Sequence, residues 1–480
     1  MKIIILTLIF CISIIRSNGQ CSFELLVNNP YDEQPRDGLQ LDNGDYIFPV
    51  IARSDYDSNY YIKIIKLSVS GQVTGAIQII NPNSDCFIYN TVKVGMNSFV
   101  GIGEWKETDN DSWLWYIGFD STLSITWEKK YDIPHNWLFF IRSIVNNSGN
   151  IVSAASIADL PNLSSSELLL MEVTPSGDSI KEIVDNSGKP IVFDIIEINS
   201  AYKVIAHGYS PYSSAQVLEI DYNFNLLSID SVPHHLGNCI TAIKKNDTSY
   251  YITGNNNMHT WDWVCTLLLN LDNDIINSEC TGNIDTVDYA GFDQSMAIHS
   301  PDTIFIGGTH NIDLSHVYYG EYHSWYILRS LDSMLNIRWT KYYGNTGYNT
   351  LRSIMATSDG GAILSGERYD YNYPDNKLDL YFVKVDSQGL IIGTNDDRIK
   401  ARNAIVYPNP GKDLLIVEAG VQVKGAEFFL VDINGKTVIH QQLFQPVTWF
   451  ETSHLAQGLY TWRIVYQNEL IEWGKWVLVK

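Results

Sequence analysis

Basic side chains are scarce in this sequence. Its 480 residues carry 32 Lys and Arg against 54 Asp and Glu, a formal charge of −22 at pH 7. So acidic a chain has little to set against a phosphate backbone, which excludes nucleic acid as a partner. Cysteine is rare too, six in all, at spacings that match no zinc site. After residue 15 no apolar run is long enough to span a bilayer as a helix. A Gly-x-Ser-x-Gly elbow, a His-Glu-x-x-His pair and a phosphate loop are all missing, which removes the commonest local signatures of hydrolases and nucleotide enzymes.

What is present begins at the N-terminus. In "MKIIILTLIFCISIIRSNGQ", Lys2 precedes an apolar run from Ile3 to Ile15, and small and polar residues follow. That order reads as a secretory signal peptide over residues 1–20. Gln20 is a poor residue before a lipidated Cys21. Cys11 leaves with the signal, and Cys21, Cys86, Cys239, Cys265 and Cys280 remain. In an oxidising compartment two of Cys239, Cys265 and Cys280 could pair; buried free thiols are the alternative.

The body of the chain repeats itself. "FDSTLSITWEKKYD" (119–132) and "LDSMLNIRWTKYYG" (331–344) share an Asp-Ser pair, a Trp seven residues on, then Lys and Tyr at two-residue steps. Each belongs to a longer unit of four alternating strands, clearest in residues 348–393, with Ser-Asp-Gly-Gly and Asp-Ser-Gln-Gly turns. First turns recur at Asn43-Gly44, Met96-Asn97, Ser148-Gly149, Asn199-Ser200, Asp247-Thr248, Pro301-Asp302 and Asp359-Gly360. The step is about fifty residues, the size of a propeller blade. A lone meander cannot bury both faces, whereas a ring of them can. The reading is an all-β chain with a seven-bladed β-propeller over residues 21–396; an elongated solenoid is the alternative. The last unit ends weakly in "LIIG", so "SFELLV" (22–27) is expected to supply or cover its outer strand. The units resemble the degenerate repeats of secreted bacterial propellers, through motifs that specify turns rather than chemistry.

A charged linker (397–404) leads to a different composition at 405–480. Tyr407-Pro408-Asn409-Pro410 is a rigid extended entry, "DINGK" around Gly435 is a hairpin turn, and Gly458-Leu459-Tyr460 opens another strand. The residues read as a small immunoglobulin-like β-sandwich. These motifs, in this order and ending at Lys480, resemble the type A C-terminal sorting domain of the bacterial type IX secretion system. The resemblance implies export through the periplasm to the cell surface or beyond. It also implies partnership with the secretion machinery and its surface sortase, and removal of the tail.

The propeller's own task is less legible. Loops between second and third strands share one face and are rich in acids and aromatics: "EWKETDNDSW" (104–113), "GNNNMHTWDW" (254–263), "GTHNIDLSHVYYGEYHSW" (308–325) and "GERYDYNYPDNKLD" (366–379). Trp105, Trp261, Trp263, Tyr318, Tyr322, Tyr369, Tyr371 and Tyr373 are the candidate ligand contacts. Aromatic faces stack on the C–H faces of sugar rings, and nearby amides and carboxylates bind hydroxyls. The same aromatics could equally be blade packing. Asp55, Asp57, Asn59 and Asp109, Asn110, Asp111 admit calcium, though neither run matches the calcium loop pattern. No catalytic residue or cofactor is assigned. Two functions stay open: a non-catalytic surface binding or adhesion protein recognising glycan or protein, and a secreted polysaccharide hydrolase or lyase. Buried carboxylates converging on the central channel would favour the enzyme; an apolar plug beneath an aromatic rim would favour the binder.

Overall fold

The computed structural model describes residues 22–27, 32–53, 59–81, 83–108, 111–133, 137–159, 166–185, 190–208, 215–232, 236–256, 263–282, 286–344, 347–372, 377–391, 404–407, 411–419, 425–445, 447–466 and 469–480. The chain divides into two compact units, with the division between Arg398 and Ile399.

The first unit is seven antiparallel sheets, each a meander running from an inner to an outer strand. Every first turn falls where the sequence placed it. The third strands, from Tyr61–Leu67 to Asp379–Val385, carry the apolar runs and are almost wholly buried. The ring closes as expected. Phe23–Val27 pairs antiparallel with Leu380–Lys384 and supplies the outer strand of the seventh blade. One blade is thus built from both ends of the propeller, which ties the first blade to the last.

The repeated phrase is a latch between blades. The turn from third to outer strand opens in all seven blades with a side-chain oxygen: Ser68, Asp120, Thr174, Asp221, Asn270, Asp332 or Asp386. Each accepts the backbone N–H four residues on. The residue three positions on is left-handed in every blade, with φ between 65° and 83°. Glycine fills it in blades one, three and seven (Gly71, Gly177, Gly389), Asn273 in blade five, and Leu123, Phe224 and Leu335 in the others. An L-residue pays about 1–2 kcal/mol there, and the neighbouring blade shows what offsets that cost. Buried Leu123 packs over Gly75 of blade one. Phe224 sits under the Lys181 ammonium of blade three, 4.5 Å from its ring centroid.

Where the turn is glycine, an aromatic reaches in instead. Phe23 fills the space over Gly71, Trp127 that over Gly177, and Trp339 that over Gly389. The phrase's terminal Tyr completes the latch: Tyr343 Oη donates to the Gly389 carbonyl at 2.9 Å, and Tyr131 Oη bonds the Gly177 carbonyl. Blades two and six carry the same words because each precedes a blade with a glycine turn.

Cys265 and Cys280 lie directly opposite on neighbouring strands of blade five and form a disulfide. Cys86 is buried and free. The Cys239 side chain lies outside the described residues.

The second unit is a sandwich of a three-stranded sheet (Ala404–Tyr407, Leu414–Ala419, Val447–Glu451) on a four-stranded one (Glu427–Val431, Thr437–Gln442, Gly458–Tyr466, Glu469–Leu478). Leu415, Val417, Phe428, Phe450, Trp462, Ile464 and Trp476 form its core. Asp432 caps the Gly435 turn as its counterparts do in the propeller, and Tyr460 Oη donates to the Ala456 carbonyl at 2.6 Å.

Candidate functional site: the aromatic end of the channel

The inner strands line a central channel, and each is broken at a comparable level. Register shifts interrupt the ladders at Ile88/Asn90, Phe139/Arg142, Val192/Asp194, Cys239/Thr241 and Leu351/Ser353. In blade one the inner strand stops at Pro35 and resumes at Leu39; in blade six it stops at Ala290 and resumes at Met296. A bulge re-aims the residue that falls out of the ladder. Here those residues are Tyr89, Phe140, Ile141, Phe193 and Arg352, joined from the two gaps by Arg36, Phe292 and Asp293, and all of them line one cavity of about 660 Å³. Amides freed by the bulges are taken up across the seams. Asn90 Oδ1 accepts from Ser143 N, Asp194 Oδ2 from Ala242 N, and Thr241 Oγ1 from Ser295 N, at 2.7–3.0 Å.

The cavity has aromatic walls and a charged floor. On one side a train of rings runs Trp137–Phe139–Phe140–Phe193–His207, with centroids 4.6–6.4 Å apart. On the other, Tyr289 stacks on Phe292, which leans on Tyr318. Phe140 is held left-handed (φ 51°) and remains 49% exposed. A bulky residue is uncommon in that backbone region, and the ring it presents faces solvent rather than the blade core.

Beneath the rings, one Arg36 nitrogen bonds both Asp293 carboxylate oxygens at 2.9 and 3.1 Å. Arg142 donates to the carbonyls of Phe193 (3.2 Å) and Tyr89 (3.3 Å) and lies 3.6 Å from Asp37 and 3.9 Å from Asp293. Arg352 Nε reaches both Glu367 oxygens at 3.0 Å while its guanidinium covers the Tyr318 and Phe292 rings. A second cavity of about 410 Å³ continues toward the ends of the inner strands, with Asp37, Asn90, Asp194 and Lys244 on its walls; Arg142 and Asp293 line both. Burial pushes Asp37 up to about 7 despite the attraction of Arg142. Burial likewise pushes Asp194 up to about 6 against Arg142 and two backbone N–H bonds. Burial also raises Glu367, opposed by Arg352.

Of the aromatics singled out in the sequence, Tyr318 lines this cavity. Tyr369 is buried and meets Tyr319 edge-on, and Tyr371 joins the same cluster with Tyr348 and Leu378. Tyr322, 40% exposed, lies edge-on to Tyr348. Trp105 packs edge-on to Trp115 beneath the Lys130 ammonium, in the body of blade two. Trp263 is half-buried against Gly282. Trp261, Tyr373 and the acidic runs Asp55–Asp57 and Asp109–Asn110 lie outside the described residues, as do residues 1–20. Among the described residues no group of three or more His, Cys, Asp and Glu is placed to hold a metal ion. The loops thus yielded one cavity residue. The remainder, apart from His207 on the second strand of blade four, come from inner strands and their gaps, where the signal would have been an aromatic or Arg set against an Asn, Asp or Ser.

In the tail, Tyr407 pairs through its backbone with Ile416. Gly435 takes the left-handed turn, Tyr460 is buried, and Lys480 ends the chain exposed. Gly458 opens the strand Gly458–Tyr466. Pro408, Asn409 and Pro410 lie outside the described residues. No helix among the described residues is long and apolar enough to cross a membrane.

Comparison with known proteins bears on the two units differently. No curated protein matches the sequence. Among solved structures, Drosophila Semaphorin 2a is similar at 6% identity and a TM-score of 0.48, over 96% of this chain and 97% of that one. A fungal alcohol oxidase of the AA5 family, in complex with copper, reaches 9% identity and a TM-score of 0.48, over 96% and 100%. The β-propeller domain of the Trilobed protease from Pyrococcus furiosus reaches 11% and 0.44, over 77% and 98%. These likenesses carry nothing about this chain's chemistry. The tail gives a definite answer: residues 405–479 match the family described as the secretion system C-terminal sorting domain. Those residues are the sorting domain of a type IX cargo, and the protein is exported to the cell surface or the extracellular space with a β-propeller as its load.

Proposed function

We propose that the propeller is a non-catalytic surface binding protein that seats a glycan in the aromatic cavity of its channel. The observation that carries this reading is the set of broken inner strands: four bulges and two gaps deliver rings and guanidiniums to one cavity of about 660 Å³. That volume falls in the range of small-ligand sites, and apolar walls with a few polar groups are their usual lining. Two of the channel carboxylates are already engaged, whereas Asp37 Oδ1 has no hydrogen-bond partner among the described residues and is left to the second reading. Asp293 is occupied by Arg36, and Asp194 accepts two backbone N–H groups. A general acid or base needs a free oxygen within reach of substrate. The test is a glycan-array screen of the secreted protein. Selective retention of a sugar class, lost on Phe140→Ala, is the expected result. A blank array from folded protein overturns the glycan reading.

The second reading, hydrolysis or lysis of an extracellular polymer, draws on Asp37 and Asp194. Both line the second cavity, Asp37 buried and Asp194 half-buried, and both are raised toward neutral pH, as carboxylic acids poised for proton transfer are. Release of reducing ends from a retained glycan, abolished by Asp37→Asn, would establish it over binding alone.

A further inference from the structure

The cavity's charge runs against that of the chain. On a protein of net charge −22, the aromatic cavity is lined by three guanidiniums, Arg36, Arg142 and Arg352, and a single carboxylate, Asp293. They come from blades one, three and seven, so their meeting is a product of ring closure rather than of local sequence. All three are largely buried, with side-chain exposures of 12%, 13% and 4%. Desolvating a cation is expensive unless something answers it, and the answer inside the protein is incomplete. Arg352 Nη2 and Arg36 Nε have no hydrogen-bond partner, although Arg352 is 3% exposed as a residue. Arg352 spends its Nε on Glu367, which leaves Nη2 unspent. Tyr318 and Phe292 flank that guanidinium at 4.9 and 5.3 Å from their ring centroids, which fixes its plane.

We propose that the ligand is an acidic sugar, whose carboxylate or sulfate group is taken by Arg352 and Arg36 while its ring stacks on the Phe140–Phe193 wall. This deepens the glycan reading of the same cavity and rests on it. The planar fork of Arg matches the paired oxygens of a carboxylate or sulfate, and such bonds are about twice as strong as neutral ones. The rings account for a sugar rather than a bare anion. An anionic ligand also explains why a cavity on an acidic protein keeps three arginines where neutral donors would bind a neutral sugar.

The test is calorimetric titration of the secreted protein with four probes: an oligouronate, a sulfated oligosaccharide, a neutral oligosaccharide of equal length, and an acidic hexapeptide. We expect one acidic sugar to bind at least tenfold tighter than the neutral one, and its affinity to fall as salt rises. Preference for the oligouronate or for the sulfated chain identifies which anion the fork holds. Arg352→Lys keeps the charge opposite Glu367 and should lose about tenfold for the acidic sugar, with unchanged circular dichroism. If that variant does not fold, the wild-type comparison of acidic with neutral sugar still decides. Equal binding of acidic and neutral sugars overturns the anion inference and leaves the glycan reading standing. Equal binding of the acidic peptide overturns the sugar component. No binding of any sugar overturns both.

Discussion

The latch between blades six and seven can be tested as a coupled pair. A Cβ added to Gly389 would sit 2.8 Å from the Trp339 ring and 2.9 Å from Tyr343 Oη. Both groups are held by blade packing, so Gly389→Ala forces a shift. Overpacking costs about 1–3 kcal/mol. The left-handed φ of +70° adds about 1 kcal/mol for any residue with a Cβ. Trp339→Ala removes a half-buried ring from the same seam, and about 2 kcal/mol is expected, below the range for a fully buried Trp. The double variant keeps the backbone term and the Tyr343 contact but loses the collision with the Trp339 ring. It should therefore be less destabilised than the sum of the two single changes, by about 1–2 kcal/mol. Urea unfolding of the four proteins, followed by far-ultraviolet circular dichroism, measures this directly. Strictly additive changes would refute the latch, because they would mean that Trp339 and Gly389 do not share one space. The same cycle on Trp127 and Gly177 should repeat the result, since the same phrase builds both seams.

Phe23→Ala should cost about 3 kcal/mol, a large effect for a residue near the N-terminus, because Phe23 is 9% exposed and fills the seam over Gly71; a change under 0.5 kcal/mol in urea unfolding would deny that the N-terminal strand closes the ring. Asp37 carries a folded pKa of about 7, above its usual 3.8, so the stability tied to its proton is fully present below pH 4 and lost as pH rises through 7; Asp37→Asn should remove that slope and exceed wild type at pH 8 by on the order of 2–4 kcal/mol, whereas parallel pH–stability curves would contradict it. Truncation after residue 404 should leave the protein inside the cell envelope, read by fractionation and immunoblot, while its surface appearance would deny that residues 405–479 carry the address.

The sequence made the skeleton plain and the site obscure, for reasons that differ. Hairpins were legible because turn chemistry is local: Gly44, Gly149 and Gly360 sit left-handed at the turns they marked, and Asp120 or Asp332 caps a turn whose other partners are within four residues. The strand "SFELLV" could be placed because the last unit lacked an outer strand. The sorting tail was legible because its motifs follow one order at one end of the chain. The cavity was not, since it is assembled from residues about fifty apart, delivered by bulges in four inner strands and gaps in two others. A bulge leaves the apolar alternation almost intact, so Arg142 and Arg352 read as interruptions in an apolar strand rather than as parts of a site. The loop aromatics drew attention for the opposite reason. Tyr369 and Tyr371 lie close together in sequence, yet they pack with Tyr348 and Leu378, while the preceding loop, 308–325, contributes Tyr318 to the cavity.

The repeated phrase also shows how a ring of near-identical units tolerates drift. Each seam needs one space filled once, from either side. Leu123 fills it from its turn against Gly75, and Trp127 fills the next from its outer strand against Gly177. Asn273 does it with polar contacts, taking the Lys203 ammonium at 3.2 Å and the Tyr250 hydroxyl at 2.6 Å. Exchanging which partner is large keeps the packing while the sequences diverge, which is why blades three to five carry the grammar without the words.

The most direct test of the account is to compare glycan binding by Phe140→Ala with binding by Tyr322→Ala. The first removes the exposed ring of the cavity, and the second an exposed ring of the outer loop. We expect Phe140→Ala to weaken binding at least tenfold with unchanged unfolding, and Tyr322→Ala to leave it within twofold. Loss of binding in Tyr322→Ala but not in Phe140→Ala would place the ligand on the loops and contradict the channel site.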